Sequence, residues 1–143
     1  MTKVNFYEKA DDHLLKFAVI ISKSNGKWVL CKHNERNTLE VPGGTREPGE
    51  DISETAEREL REETGAIKYT IEPVCVYSVE NEQAETFGML YYAEISTFEN
   101  ELHSEIERVF FMDSLPDNWT YPLIQPELIR EVLRRNVIKG GLI

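Results

Sequence analysis

Hydrophobic and polar residues alternate along this chain with two different periods, and the change of period marks its elements. Two apolar, β-branched runs, residues 14–22 and 28–32, flank Asn25-Gly26, a dipeptide typical of tight hairpin turns. The sequence therefore predicts a β-hairpin in this part of the chain. Residues 3–10 are expected to form an edge strand or a loosely held arm. Further strand-like runs span residues 38–41, 69–79, 86–95 and 105–112.

The region after Asp51 changes to helical spacing, with apolar residues at Ile52, Ala56 and Leu60. Asp51 and Glu54 form the capping-box pattern that satisfies free amide groups at a helix start. Gly65 lies where a left-handed residue commonly ends a helix. These signals together predict a helix that ends near Thr64.

The last element and the order of all elements determine the expected fold class. A second helix is predicted from about Pro126 to Arg135, because proline suits the first helical turn and apolar residues follow at helical spacing. Strands on both sides of one helix, with a second helix at the end, predict an α/β fold, a three-layer α/β/α sandwich around a mixed sheet. The 143 residues and 41% hydrophobic content fit one domain over residues 1–143.

Composition narrows the classes of partner and compartment. The net charge of -10 argues against a nucleic-acid polymer as partner, and an anionic small molecule would need a bridging cation. Cys31 and Cys75 lie in apolar strand-like runs without metal-type spacing, so both are expected to be reduced core residues. No charged-then-apolar leader opens the sequence and no apolar run approaches about 18 residues, so we expect a cytoplasmic protein without a membrane span.

Three carboxylates on the predicted helix break a local rule of helix stability. Glu59, Glu62 and Glu63 are related by three and four residues, so they share one face near the end of the helix. Like charges at this spacing cost about 0.2–0.5 kcal/mol per pair, and the helix dipole disfavours anions at that end. Either this is a solvated charged face, as in many Glu-rich helices, or the carboxylates hold a cation.

The loop before the helix favours the interpretation that the carboxylates hold a cation. Residues 41–50 read Val-Pro-Gly-Gly-Thr-Arg-Glu-Pro-Gly-Glu, a turn-rich run that leads directly into the helix. Loop and helix together resemble the signature of the Nudix hydrolases. Its fixed positions are all filled, by Gly44, Glu50, Arg58, Glu59, Leu60, Glu62, Glu63 and Gly65, with Ala66 as the last apolar position.

The resemblance implies the same α/β/α fold and a metal-dependent cleavage of a phosphoanhydride bond. Mg²⁺ or Mn²⁺ would be bound by the carboxylates of Glu59, Glu62 and Glu63, because hard cations prefer oxygen ligands. From the resemblance, the backbone carbonyl of Gly43 would join them.

Catalytic roles follow from the same resemblance. Arg58 would pair with Glu50, hold the loop against the helix, and orient the catalytic carboxylates, among them Glu62. The residue that takes the proton from the attacking water is expected to be Glu59 on the helix or Glu105 in a downstream loop. Glu105 is equally consistent with a plain loop charge.

Substrate recognition is expected mainly outside the signature. Arg36 and Arg46 are candidate phosphate clamps because the guanidinium fork matches phosphate geometry, although an exposed arginine is commonly only a surface charge. Asn118 and Gln125 flank two aromatic residues, in the region where MutT-like members read a purine edge with an amide. Those aromatic residues are alternatively part of the core. None of the three histidines has spacing typical of a metal or catalytic site.

The resemblance is greatest to MutT-type enzymes, which convert nucleoside triphosphates, oxidised ones included, to a nucleoside monophosphate and pyrophosphate. The expected partner is thus a nucleotide-type small molecule. The alternatives are a pyrophosphatase for ADP-ribose or a nucleotide sugar, and a non-catalytic Nudix module that binds a nucleotide. A monomer and a homodimer are both compatible with the sequence.

Overall fold

The computed structural model describes residues 1–99 and 106–135, and the backbone alone for residues 106–108. A short 3-10 turn spans Asp12–Leu14, and the two helices are α1 (Ile52–Thr64) and α2 (Gln125–Arg134). The strands are β1 (Lys3–Tyr7), β2 (Leu15–Ser24), β3 (Lys27–His33), β4 (Gly43–Thr45), β5 (Ala66–Glu80), β6 (Glu85–Phe98) and β7 (Ile106–Met112).

The strands form one mixed sheet in the order β1-β5-β6-β2-β3-β7, with β4 paired to β2. Strands β2 and β6 run parallel, whereas the other pairs are antiparallel. The strand predicted within residues 3–10 is β1, which lies at one edge. Both long strands after α1 are longer than predicted, and β5 continues through Pro73, where its register with β6 is irregular.

The predicted hairpin joins β2 and β3 through Asn25 and Gly26, whose φ values of 51° and 77° fit a primed turn. The two strands pair only beside this turn, at Lys23 with Trp28 and Ser24 with Lys27. Farther along, β4 pairs with β2 instead. The glycine loop therefore enters the sheet where β2 and β3 no longer pair.

The strand predicted over residues 38–41 is wrong. Leu39 and Glu40 make only isolated bridges to different partners, Trp119 and Cys31. Because each residue pairs with a different segment, no continuous ladder forms, and Pro42 has no amide hydrogen with which to continue one. The short strand lies instead at β4, inside the predicted loop.

Alternate residues of the central strands face opposite helices. Ile21 and Leu30 pack in a cluster with the apolar face of α2, whereas Ile20 and Val29 pack with Ala56 and Leu60 of α1. The two helices thus cover the two faces of the sheet, which confirms the three-layer α/β/α sandwich.

Both cysteines are buried and free, as predicted. In the part of the chain that the structure describes, neither helix is long and apolar enough to span a bilayer. Residues 139–143, which the sequence predicts to be a tail, lie outside the described residues.

Candidate active site

Helix α1 begins and ends with the local interactions that its sequence predicts. The Asp51 amide donates to the Glu54 carboxylate over 2.8 Å, as in a capping box, and Gly65 takes the left-handed conformation with φ 76°. These ends place Glu59, Glu62 and Glu63 on the last two turns, beside the glycine loop.

Arg58 ties this helix to the loop. Its Nε donates to Glu50 Oε2 over 2.6 Å, and its Nη2 donates to Glu50 Oε1 and the Thr45 carbonyl, both over 3.1 Å. Glu50 also accepts hydrogen bonds from the Glu47 amide and the Thr55 hydroxyl. The Arg58 guanidinium is the main reason that the pKa of Glu50 falls to about 2, so this pair is ionic at neutral pH.

The same arginine reaches the carboxylates of the helix. Its Nη1 lies 3.2 Å from Glu59 Oε2 and 3.2 Å from Glu62 Oε1. Glu63 is held from the other side, because its Oε1 accepts a 2.7 Å hydrogen bond from the Gly43 amide. The three carboxylates line one cleft of about 440 Å³, together with Arg58, His33 and the loop from Gly43 to Pro48. We call it the carboxylate cleft.

The electrostatics of the carboxylate cleft favour an added positive charge. Burial raises the pKa of Glu63 to about 8, the Gly43 amide lowers it, and the nearby Glu59, Glu40 and Glu62 raise it further. Burial also raises the pKa of Glu59, although Arg58 opposes that shift. Carboxylate oxygens are the donors that Mg²⁺ and Mn²⁺ prefer, so the chemistry of this set fits such a cation.

The three carboxylates do not converge on a single cation position. Within residues 1–99 and 106–135, no three His, Cys, Asp or Glu side chains are gathered closely enough to hold a metal. Arg58 and the Gly43 amide hold the three carboxylates instead. A cation bound at this site would require the carboxylates to turn away from these partners.

Two glycines are required by close contacts in the loop. A Cβ on Gly44 would overlap the Glu59 carboxylate, and one on Gly43 would lie 2.7 Å from the Ala18 carbonyl oxygen. The loop can therefore lie against both β2 and the carboxylates only because these residues lack side chains.

The two arginines expected to bind phosphate have different surroundings. Arg36 is half-exposed, and its Nη1 donates to Glu40 Oε2 over 3.0 Å and lies 3.5 Å from the Tyr121 hydroxyl. Arg46 lines the carboxylate cleft, but its guanidinium donates to the Glu50 carbonyl and to the carbonyl and carboxylate of Asp12 over 2.8–2.9 Å. Arg46 thus fastens the loop to the 3-10 turn, whereas Arg36 keeps part of its guanidinium exposed.

A second cavity of about 370 Å³ lies between the sheet and α2, and we call it the apolar cavity. Gly43, Gly44 and Thr45 line both this cavity and the carboxylate cleft. The remaining lining is Phe17, Val19, Glu40, Val41, Tyr77, Val79, Thr86, Tyr121, Ile124, Gln125 and Leu128. The glycine loop therefore separates an acidic site from a mostly apolar one.

The residues expected to read a base separate in the structure. Gln125 lines the apolar cavity, and its Oε1 accepts a 2.9 Å hydrogen bond from the Val41 amide. Asn118 does not line it, and its Nδ2 instead donates to the Asn37 carbonyl over 3.2 Å. Of the two aromatic residues, Trp119 packs against the core and Tyr121 borders the cavity. The structure thus brings only Gln125 and Tyr121 to this site.

Tyr77 covers the sheet side of the apolar cavity, a feature that sequence reasoning missed. Its side chain is buried, and a Cβ on the paired Gly88 would lie 2.7 Å from the outer ring atoms of Tyr77. The glycine therefore lets the aromatic ring lie flat on the sheet.

The sequence likewise did not predict the contacts of His33, because none of the histidines has metal or catalytic spacing. His33 ends β3, and its Nε2 lies 3.0 Å from Glu40 Oε1 and 3.4 Å from Glu63 Oε2. No local spacing could have revealed this contact, because His33 and Glu63 come from separate elements. The downstream candidate Glu105 lies outside the described residues.

Comparison with known proteins decides the family. Residues 12–131 match the family model described as the NUDIX domain. This chain belongs to the Nudix family. The resemblance read from the loop and helix is thereby confirmed.

Known relatives agree with this assignment. The Nudix chain is 33% identical over 104 residues to YtkD of Bacillus subtilis (strain 168), which carries the provisional description 8-oxo-dGTP diphosphatase. The match covers 72% of this chain and 65% of YtkD, slightly less than two thirds of that relative.

Solved structures share the Nudix fold at lower identity. A single-residue mutant of the Bacillus subtilis pyrophosphohydrolase BsRppH has a TM-score of 0.78 at 24% identity, covering 94% of this chain and 90% of that one. A UDP-X diphosphatase has a TM-score of 0.69 at 22% identity, covering 91% and 66%. A C. elegans Ap4A hydrolase has a TM-score of 0.63 at 18% identity, covering 89% and 100%. At these identities the likeness establishes the fold alone.

Proposed function

We propose that this Nudix domain, residues 1–143, hydrolyses a phosphoanhydride bond of a nucleoside triphosphate to give a nucleoside monophosphate and pyrophosphate. One observation carries the proposal. The carboxylate cleft and the apolar cavity lie on either side of the same three residues, Gly43, Gly44 and Thr45. A nucleotide has an anionic half and an aromatic half, and this pair of sites matches both.

The carboxylate cleft is the proposed metal and phosphate site. Glu59, Glu62, Glu63 and the Gly43 carbonyl would hold Mg²⁺ or Mn²⁺, the divalent type that Nudix hydrolases generally use. When bound, such a cation neutralises phosphate charge and polarises the bond that breaks. Arg58 keeps Glu59 and Glu62 directed into the cleft through its Glu50 pair.

Glu59 is the proposed acceptor of the proton from the attacking water. Burial raises the pKa of its carboxyl, which makes the ionised form a stronger base than an exposed glutamate. Glu105 is the alternative acceptor. A loss of turnover in Glu59→Gln with little change in Glu105→Gln would support the helix residue, and the reverse result would move the role to Glu105.

The apolar cavity is the proposed base site. Gln125 accepts from Val41 through Oε1, so the Nε2 donors of its amide are available to a base edge. Tyr121 and Tyr77 offer aromatic surfaces beside it. Arg36 would contact a phosphate group directly. Arg46 and Asn118 would support substrate binding indirectly, because each holds a neighbouring segment in place.

The description of YtkD supports a purine substrate oxidised at the base, such as 8-oxo-dGTP. We assign the reaction to the cytoplasm, because two free buried cysteines fit a reducing compartment. The proposed partner is the nucleotide itself, bound by a monomer or a homodimer.

The test is hydrolysis of a substrate panel with Mg²⁺ and with Mn²⁺. The panel contains ordinary and oxidised nucleoside triphosphates, ADP-ribose, nucleotide sugars and dinucleoside polyphosphates. A clear preference for a triphosphate supports the proposal, and a preference for ADP-ribose or a nucleotide sugar would replace it. Binding of nucleotides without turnover of any of them would indicate a non-catalytic module.

A further inference from the structure

We propose that His33 is a positioning residue that fixes Glu63 in the carboxylate cleft and Glu40 in the wall of the apolar cavity. The inference rests on the metal-binding role of Glu63 proposed above. It assigns a function to a histidine that belongs to no Nudix signature position in this chain.

The contacts place His33 between two carboxylates. Its Nε2 lies 3.0 Å from Glu40 Oε1 and 3.4 Å from Glu63 Oε2. The second oxygen of each carboxylate has its own donor, the Gly43 amide for Glu63 at 2.7 Å and Arg36 for Glu40 at 3.0 Å. Each carboxylate is therefore contacted at both oxygens, which defines its rotation about the terminal torsion.

Burial makes this arrangement energetically important. Glu40 is 6% exposed and Glu63 is 8% exposed, so both carboxyl groups depend on protein groups and not on water for their polar contacts. The buried Nε2 atom of His33 lies within 3.4 Å of both carboxyl groups, so the imidazole occupies the space between them and can offer each a polar contact. Without it, the two carboxylates would be expected to move apart or turn towards solvent.

The contacts of His33 with Glu40 and Glu63 also join the two halves of the proposed substrate site. Glu63 lines the carboxylate cleft, whereas Glu40 and Tyr121 line the apolar cavity. Arg36 extends the contacts from Glu40 to the Tyr121 hydroxyl over 3.5 Å. Because His33 ends β3 while Glu63 lies on α1, the histidine is one contact between the helix and this wall.

The experiment compares two amide substitutions that differ by one methylene group. In His33→Gln the amide nitrogen can reach the position of Nε2, and in His33→Asn it is too short to do so. Affinity for Mn²⁺ is measured without substrate, by the electron paramagnetic resonance signal of free Mn²⁺. We expect H33N to bind Mn²⁺ about 10-fold more weakly or worse, and H33Q to remain close to the unsubstituted protein.

Steady-state kinetics provide the second readout. At saturating Mn²⁺, H33N should raise KM for a nucleoside triphosphate, because Glu40 and the cavity wall shift, and H33Q should restore it. The control is His13→Asn, since His13 lies in the 3-10 turn and touches neither cavity. If H33N does not fold, His33→Met takes its place as the variant without the bridging nitrogen.

Two outcomes would overturn the inference, and they differ from failure of the proposed function. A folded H33N protein with unchanged Mn²⁺ affinity and KM would show that His33 positions nothing. If instead Glu63→Gln bound Mn²⁺ as tightly as the unsubstituted protein, Glu63 would not be a metal ligand. In that case the proposed metal site would fail first, and the inference with it.

Discussion

The Glu59 carboxylate lies directly against Gly44, in the space that a Cβ at position 44 would fill. Gly44→Ala should therefore displace either the carboxylate or the loop, although alanine suits the local backbone. Because displacement of a catalytic group by about 1 Å can cost about 100-fold, we expect turnover to fall by at least 10-fold. Steady-state assays of the purified variant check this.

A matched glycine substitution separates the contact from general strain. Gly26→Ala places a side chain at φ 77° in the hairpin turn, where nothing lies within 4 Å. It should lower the melting temperature through backbone strain and leave turnover unchanged. Equal losses of turnover in both variants would contradict a specific role for the Gly44 contact.

Arg58 should not tolerate replacement by lysine. Its fork makes two hydrogen bonds to Glu50 and one to Thr45, which a single ammonium group cannot reproduce. We expect Arg58→Lys to lower kcat by about 10-fold or more, because the loop and the carboxylates lose their common anchor. Arg61→Lys is the control, since Arg61 lies outside both cavities and its pair with Glu57, at 3.9 Å, is exposed. Similar kcat values for the two variants would refute the anchoring role.

Glu63 should make the metal-free protein less stable as pH rises. Its pKa is about 8 when folded against an ordinary value of 4.5, so the unfolded chain loses this proton first. The folded state therefore holds more protons between these values, and stability falls from pH 4.5 to about 8. In EDTA, Glu63→Gln should remove this loss, so its melting temperature should exceed that of the unsubstituted protein most clearly above about pH 8.

Adding metal should reverse the order of the melting temperatures of the unsubstituted protein and Glu63→Gln. Mg²⁺ or Mn²⁺ should raise the melting temperature of the unsubstituted protein, because a ligand that binds the folded state stabilises it. The E63Q variant should respond weakly. An equal metal response in both would argue against Glu63 as a ligand.

Gly88 should matter for substrate affinity more than for chemistry. A methyl group there would meet the Tyr77 ring at 2.7 Å and push it into the apolar cavity. We expect Gly88→Ala to raise KM for a nucleoside triphosphate with a smaller change in kcat. Replacing the ring as well, in Y77L/G88A, should relieve the overlap. A lower kcat without a change in KM for Gly88→Ala would contradict a base site in this cavity.

The sequence could predict features that depend on local order. The capping box, Gly65 and the three carboxylates of α1 follow from spacing along one helix, and the structure keeps that spacing. The hairpin at Asn25 and Gly26 was predictable for the same reason. These elements set the fold class and the position of the carboxylate cleft.

Contacts between distant segments could not be predicted in this way. Leu39 and Glu40 pair with different segments, so an apparent strand became two isolated bridges. The contacts of His33 with Glu63 and of Tyr77 with Gly88 depend on which strands and helices become neighbours. Asn118 and Arg46 likewise carry the polar groups expected of substrate-binding residues, but their hydrogen bonds are to the protein's own loops.

The most direct test identifies the products formed from 8-oxo-dGTP and, in parallel, from dGTP. Each reaction is run with and without Mg²⁺, for the unsubstituted protein and for Glu62→Gln. Metal-dependent formation of the nucleoside monophosphate and pyrophosphate, with turnover lowered by about 100-fold or more in E62Q, is the predicted result. Release of a nucleoside diphosphate and phosphate, turnover without metal, or unchanged turnover in E62Q would contradict a triphosphate pyrophosphohydrolase built on these carboxylates.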